Sequence, residues 1–427
     1  MKKPTNIKEL CEFVWYLEDK YSLLDFEING VKPWQSYRIE IYYTLGKYIG
    51  VFDSNLKRGE TLFDKIKSIK DIILNSIIHN PFKNLKEVDF LLFSHPRSKV
   101  VNNQHIDIYT QYFLDENKEK LFLEYEGMFL GKHLRKYKPY KRYLDYINIK
   151  RVIFSKLVDI RLDKQQSAII AEVEKEIYST LGKHYDLQAI LINRTKKFLV
   201  TYKSYKKILS ITTPKEIYVV VSYGRAELIK AAKEANIKVI ELQHGTFSKY
   251  HLGYSYPNKR DLDYFPDEFW VWNEYWKNLI SFPISKKHIK IYPFKYLEIE
   301  KTKYRLQKNP KQMVILGQNG LTDKMAKKVL DNLDFFKTFK IIIKLHPEEY
   351  GRSSLYQNMI QLQHKLNIEI VEETDLYALL SSSEYQAGVF STALYEGVEF
   401  DCKTILFDIS GIEYMDKFIK FYKVKVI

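Results

Sequence analysis

Residues 216–246 read EIYVVVSYGRAELIKAAKEANIKVIELQHGT, and their pattern decides the fold. Glu216–Val221 is an unbroken apolar run of β-branched and aromatic residues after its first position, which predicts a buried strand. Ser222-Tyr223-Gly224-Arg225 is a turn. Ala226–Ala235 (AELIKAAKEA) is rich in strong helix formers, and Asn236 stops it. Lys238–Leu242 (KVIEL) predicts a second strand. Strand, helix and strand within about 30 residues make a βαβ unit, which requires parallel strands and a right-handed crossover. The unit ends in Gln243-His244-Gly245-Thr246. Ligands of parallel α/β sheets sit beyond the carboxyl ends of the strands, so this loop is placed for chemistry.

The same alternation returns downstream. Strands are predicted at Gln312–Leu316, Lys340–Leu345, Ile368–Val371, Tyr385–Phe390 and Lys403–Phe407. Helices are predicted between them at Thr322–Leu333, Ser353–Leu366, Asp375–Ser382 and Ala393–Phe400. Lys295–Pro310 is charged, lacks periodicity and reads as a linker. Upstream, Lys8–Lys20, Val152–Gln166 and Gln188–Leu209 read as helices, and Val88–Phe93 as a strand. The expected class is α/β: two facing Rossmann-like doubly wound domains, residues 1–300 with helical insertions and residues 311–427.

Composition narrows the function. The 427 residues are 45% hydrophobic and 28% charged, an ordinary globular balance. Cys11 and Cys402 are the only cysteines, which excludes a thiolate zinc site and a disulfide framework. The polar residues after Met1-Lys2-Lys3-Pro4 do not form a signal-peptide core, and no run approaches the roughly 18 apolar residues of a membrane span. A cytoplasmic location is expected. The net charge is +15. It concentrates in Lys132–Arg151 (KHLRKYKPYKRYLDYINIKR) and Arg194–Lys207 (RTKKFLVTYKSYKK), where bases alternate with tyrosines. Such stretches suit the anionic inner face of the cytoplasmic membrane, where the chain would dock peripherally. Nucleic acid is not an expected partner, since no RNP, helix-turn-helix or zinc pattern is present.

Five strand-end features carry candidate chemistry. Gly317-Gln318-Asn319-Gly320 is a flexible loop that lets backbone approach a phosphate at a helix N-terminus. His346 ends a strand and is followed by Pro347, which removes a donor and holds the histidine extended. Ser391 and Thr392 open a helix whose free N–H groups and dipole form an anion site, and Glu396 lies one turn on, in reach of a ribose hydroxyl. His244, oriented by Gln243, fits a general base near neutrality, with His251 as a substitute, and Gln243 and His251 are also candidates for holding the acceptor. In the loop Ser94-His95-Pro96-Arg97, Arg97 is a candidate for an anionic acceptor.

Together, Gln243–Thr246, Lys344–Glu348 and Phe390–Gly397 resemble the bacterial GT-B glycosyltransferases of surface polysaccharides. They are similar in particular to the group that contains capsule sialyl- and Kdo-transferases and teichoic-acid glycerophosphotransferases. The resemblance covers roughly the second half of the chain. It implies that residues 311–427 bind the nucleotide of the donor and residues 1–300 the glycan or glycolipid acceptor. It implies that His346, Ser391 and Thr392 hold the donor's phosphate and base, and that His244 is the base of the teichoic-acid enzymes. Two departures stand out. Val389-Phe390-Ser391-Thr392 replaces the usual Asp-Tyr-Ser-Ser, and the acidic motif of the sialyltransferases survives only as Glu124-Tyr125-Glu126-Gly127. The general base therefore stays open between His244 and Glu126. The expected function is metal-independent, cofactor-free sugar transfer from a nucleotide sugar, a CMP-sugar such as sialic acid or Kdo, in capsule, lipopolysaccharide or O-antigen synthesis. The alternatives are a CDP-polyol phosphotransferase and, more distantly, a nucleic-acid-binding protein.

Overall fold

The computed structural model describes residues 2–52, 62–96, 98–129, 131–258, 261–305 and 307–427, with the side chains of 62–69 left aside. In chain order the first strands are β1 (Phe90–Phe93), β2 (Lys99–Val101), β3 (Gln104–Ile106), β4 (Phe122–Glu126), β5 (Lys141–Tyr143), β6 (Glu216–Val219), β7 (Lys238–Leu242), β8 (Glu268–Val271) and β9 (Ile289–Ile291). After them come β10 (Asn309–Leu316), β11 (Lys340–Lys344), β12 (Ile368–Val371), β13 (Ser383–Gly388), β14 (Lys403–Leu406) and β15 (Lys425–Val426). β2 and β3 pair as an antiparallel hairpin. The rest form two all-parallel sheets, ordered β5-β4-β1-β6-β7-β8-β9 and β12-β11-β10-β13-β14-β15. The second order is 3-2-1-4-5-6, that of a Rossmann domain, and the first repeats it with the hairpin excluded and a seventh strand added.

Helices cover both faces, so the strands at the centre of each sheet are largely apolar. All four residues of β1 are buried, as are Ile217–Val219 of β6. The chain reverses direction across each sheet at one place. In the first sheet that place lies between β1 and β6, and in the second between β10 and β13. Crevices open at such points. The loops after β1, β6, β10 and β13 therefore matter most.

Aromatic packing joins the halves. Trp276 meets Tyr395 with ring centroids 4.5 Å apart, and the hydroxyls of Tyr42 and Tyr414 hydrogen-bond at 2.7 Å. Lys249 pairs with Asp416 at 3.3 Å. The segment Ile412–Tyr422 thus leans on the first half before β15 returns to the second sheet.

Three sequence expectations are corrected. The linker Lys295–Pro310 is largely structured: Lys295–Thr302 is a helix that buries Tyr296 and Glu300, and β10 already begins at Asn309. Pro310 is tolerated there because the pairing with β13 shifts register between Asn309 and Met313. The helix expected at Val152–Gln166 is two helices, Asp145–Phe154 and Lys164–Leu181. Asp163 begins the second with a capping box to Gln166. The basic run Lys132–Arg151 is not a uniformly solvated surface. Arg135, Lys141 and Arg142 are buried, the last donating to the carbonyls of Lys83 and Pro139 at 2.8 Å.

Candidate functional site

In the second half, two loops lock together. Gly317 follows β10 and donates its N–H to the Lys344 carbonyl at 2.8 Å. A Cβ there would lie 2.8 Å from that oxygen and 2.9 Å from the Thr322 Oγ1, so only glycine fits. Thr322 Oγ1 accepts from the Gln318 N–H and donates to buried Glu349 at 2.7 Å. Glu349 also accepts from Tyr356 and from the His346 N–H. Asn319 bonds Glu348 at 2.5 Å. Gly317, Gln318, Asn319 and His346 are therefore one unit built around Glu349. Sequence reading missed Glu349, although an acid two residues past an exposed His-Pro step is a capping signal.

His346 caps the short turn Pro347–Glu349. Its Nδ1 accepts the Glu348 N–H at 3.2 Å. In its neutral form the ring then carries its proton on Nε2, the tautomer that donates. Pro347 is exposed at the first position of the turn, where its missing N–H costs nothing. Ser391 caps the helix Thr392–Glu399 by accepting the Ala393 N–H at 3.2 Å. Glu396 faces the first half rather than open solvent. Burial raises its carboxyl to about 7, against the charge of Lys99 and a hydrogen bond from Tyr377. Lys99, on β2, sits over the rings of Tyr377 and Tyr296 at 4.5 and 4.9 Å. Lys99 and Tyr377 carried no sequence signal, because only the crossing of the hairpin toward the second half makes them neighbours.

In the first half, His244 ends β7. Its ring stacks on His95, with centroids 5.6 Å apart and planes 17° apart. Tyr254 Oη lies 3.5 Å from His244 Nδ1 and donates to buried Glu241. Burial raises the Glu241 carboxyl to about 7. The loop crosses the cleft: a Cβ on Gly245 would lie 3.6 Å from the Thr392 Oγ1. The loop that carries His244 and the Ser391-Thr392 turn thus approach each other from opposite halves.

The remaining candidates fall differently. Gln243 clamps its own loop. Its amide accepts from the Trp272 N–H and donates to the Gly245 carbonyl, both at 3.0 Å. His251 packs against Tyr254 and Tyr223, and burial lowers its imidazole to about 4. It stands behind His244 rather than replacing it. Glu126 does not fit a base. It is 1% exposed and is held by Arg135 at 2.8 Å, Lys141 at 3.1 Å and His133 at 3.3 Å. Burial alone would raise its carboxyl, but these partners hold it below its ordinary value. Arg97 lies outside the described residues.

The chain carries one Asp-x-Asp string, Asp261-Leu262-Asp263. Asp263 pairs with Lys32 at 3.0 Å, and Leu262 is buried. Among the described residues no group of three or more His, Cys, Asp or Glu is arranged to hold a metal ion.

No family model matches the chain, and no curated protein matches it. Solved structures do. The UDP-GlcNAc 2-epimerase from Neisseria meningitidis bound to UDP-GlcNAc aligns over 79% of this chain and 86% of its own, at 13% identity and a TM-score of 0.44. The lipopolysaccharide outer core galactosyltransferase WaaB aligns over 79% and 92%, at 11% identity and a TM-score of 0.41. The glycosyltransferase SnogD from Streptomyces nogalater aligns over 79% and 86%, at 10% identity and a TM-score of 0.40. The sheet orders and the two facing carboxyl edges give this chain the GT-B fold, two Rossmann-like domains across a cleft.

Proposed function

We propose that the protein is a glycosyltransferase that moves a sugar from a nucleotide donor, a CMP-sugar such as sialic acid or Kdo, to a glycan or glycolipid of the bacterial surface. One observation carries the reading: the Ser391-Thr392 helix start and the His244-Gly245 loop face each other at contact distance from opposite halves. Residues 311–427 are read as the donor side and residues 1–300 as the acceptor side. Leaving-group charge grows on the nucleotide phosphate as the glycosidic bond breaks. The amides that open Thr392–Glu399 and the Nε2 proton of His346 stabilise that charge in place, with no metal required. The Gly317 loop, tied to His346 through Glu349, holds the pocket's shape. His244 takes the proton of the attacking acceptor hydroxyl.

Replacing His346 by alanine removes one donor to a charged group. The expected result is a loss of about tenfold to a hundredfold in donor affinity. Titration with CMP-, CDP-, UDP- and GDP-linked compounds measures it. Unchanged affinity for every donor would sink the assignment, and turnover of a CDP-polyol alone would favour the phosphotransferase alternative.

The membrane enters the same reading. Among the described residues no helix is long and apolar enough to cross a bilayer. Helices Leu62–Ile78 and Asp145–Phe154 pack together and leave Ile73, Ile77, Val152, Ile153 and Phe154 exposed, with Leu157 just beyond. Ile77 is 70% and Leu157 76% exposed. Lys70 and Lys156 flank them in solvent. Apolar side chains flanked by lysine suit an anionic bilayer, at about 1 kcal/mol per base. Vesicles containing phosphatidylserine are expected to sediment the protein, neutral vesicles not, and Ile77→Ser with Leu157→Ser is expected to release it. Equal recovery with both vesicle types would reject docking.

A further inference from the structure

We infer that the first half holds a binding site for an anionic sugar unit, a sugar acid or a sugar phosphate, in a cavity at the carboxyl ends of β4 and β6. The inference rests on the glycosyltransferase reading and names the acceptor's chemistry. The cavity measures about 240 Å³. That is below the roughly 300–1,000 Å³ of sites for drug-sized ligands, so it takes one small unit and not a nucleotide sugar. It flanks the place where the first sheet reverses strand order, on the same edge as His244.

Two guanidiniums line it. Arg151 comes from the helix Asp145–Phe154, and Arg225 from the turn after β6, its guanidinium over the Phe93 ring at 5.3 Å. Neither has an ion pair among the described residues. Two helices also begin there. Asp145–Phe154 and Ala226–Glu234 both start without a side-chain cap on their first amides. Each carries a carboxylate in its first turn, Asp145 and Glu227, which offsets its dipole end, so the positive charge of the cavity comes from the two guanidiniums. The acids in the wall are already engaged: Glu227 with Arg194 at 3.0 Å, and Asp145 Oδ2 with His133 at 3.0 Å.

Independent of this charge, buried polar atoms in the wall lack partners. Thr201 is 5% exposed and Asp145 1%. The Thr201 Oγ1 and the Asp145 Oδ1 have no hydrogen-bond partner among the described residues. Buried polar atoms are normally satisfied, so a pair left open in one cavity marks a ligand that supplies hydroxyls. An anion for the guanidiniums and hydroxyls for Thr201 and Asp145 describe a charged sugar.

The test is calorimetric titration of the full chain with N-acetylneuraminic acid, glucose 6-phosphate and neutral N-acetylglucosamine, and separately with CMP. At least one charged sugar is expected to bind tenfold or more tightly than the neutral one, and the stronger of the two names the source of the charge. Arg151→Gln with Arg225→Gln is expected to abolish that preference and leave CMP affinity unchanged. Arg151→Gln alone, at a half-exposed position, guards against a folding defect in the pair. Thr201→Val is expected to weaken the sugar without affecting binding of inorganic phosphate. Equal binding of charged and neutral sugars, or an unchanged preference in both arginine variants, would overturn the inference. Loss of nucleotide binding with a retained charged-sugar preference would instead overturn the glycosyltransferase reading.

Discussion

Replacing His244 by alanine is expected to lower kcat by about 10²–10⁴-fold, the usual contribution of a positioned general base. The tautomer supports the role. Tyr254 has a single hydroxyl proton and gives it to Glu241. When Glu241 is ionised, the Tyr254 oxygen is left to accept from His244 Nδ1, at 3.5 Å. Nδ1 carries the ring proton, and Nε2 keeps the lone pair that a base needs. The His95 ring limits tilting of the imidazole from one side. His244 is half-buried at a strand end, so its truncation leaves the sheet intact. Single-turnover kinetics with saturating nucleotide sugar is the measurement, alongside donor titration and thermal unfolding. Donor affinity and stability are expected to be unchanged. A variant within threefold of the parent's kcat would remove His244 from the chemistry.

The fold was legible where local pattern and tertiary role agree. Lys238–Leu242 is a strand as predicted, because a central parallel strand needs a largely apolar sequence, and the edge strand Ile368–Val371 was legible from its β-branched alternation. The turn at Ser391-Thr392 was legible because a capping hydroxyl and a helix start coincide in sequence. Other features depend on long-range neighbours. β1 pairs with β6, more than a hundred residues downstream, and nothing in either strand names the other. Glu124, Glu126, Arg135 and Lys141 look like a charged surface in sequence. In the structure they pair around the end of β4, so the run that read as a basic patch and the acids that read as a catalytic motif neutralise each other. The break at Asp163 was available as Asp-x-x-Gln, but apolar periodicity runs through it and hid the boundary.

Replacing Arg38 by alanine is expected to destabilise the first half by about 3–5 kcal/mol, the cost of leaving one member of a buried ion pair alone. Arg38 is 2% exposed and meets Glu18 through two bonds, at 2.5 and 2.8 Å. Trp34 Nε1 also donates to Glu18 at 2.8 Å, which satisfies an oxygen but supplies no charge. The guanidinium lies 4.0 Å from the Tyr256 ring centroid and donates to the carbonyls of Leu252 and Ser255. One side chain thus ties the N-terminal helices Ile7–Lys20 and Pro33–Tyr48 to the segment that carries Tyr254. Its loss reaches the site as well, because Tyr254 orients His244. Urea unfolding followed by tryptophan fluorescence measures the stability term. Arg38→Met with Glu18→Gln removes both charges and is expected to recover most of the loss, since the penalty comes from the stranded carboxylate rather than from the missing pair. If Arg38→Ala alone stays within about 0.5 kcal/mol of the parent, the range of an ordinary surface change, the pair is not the anchor of these helices.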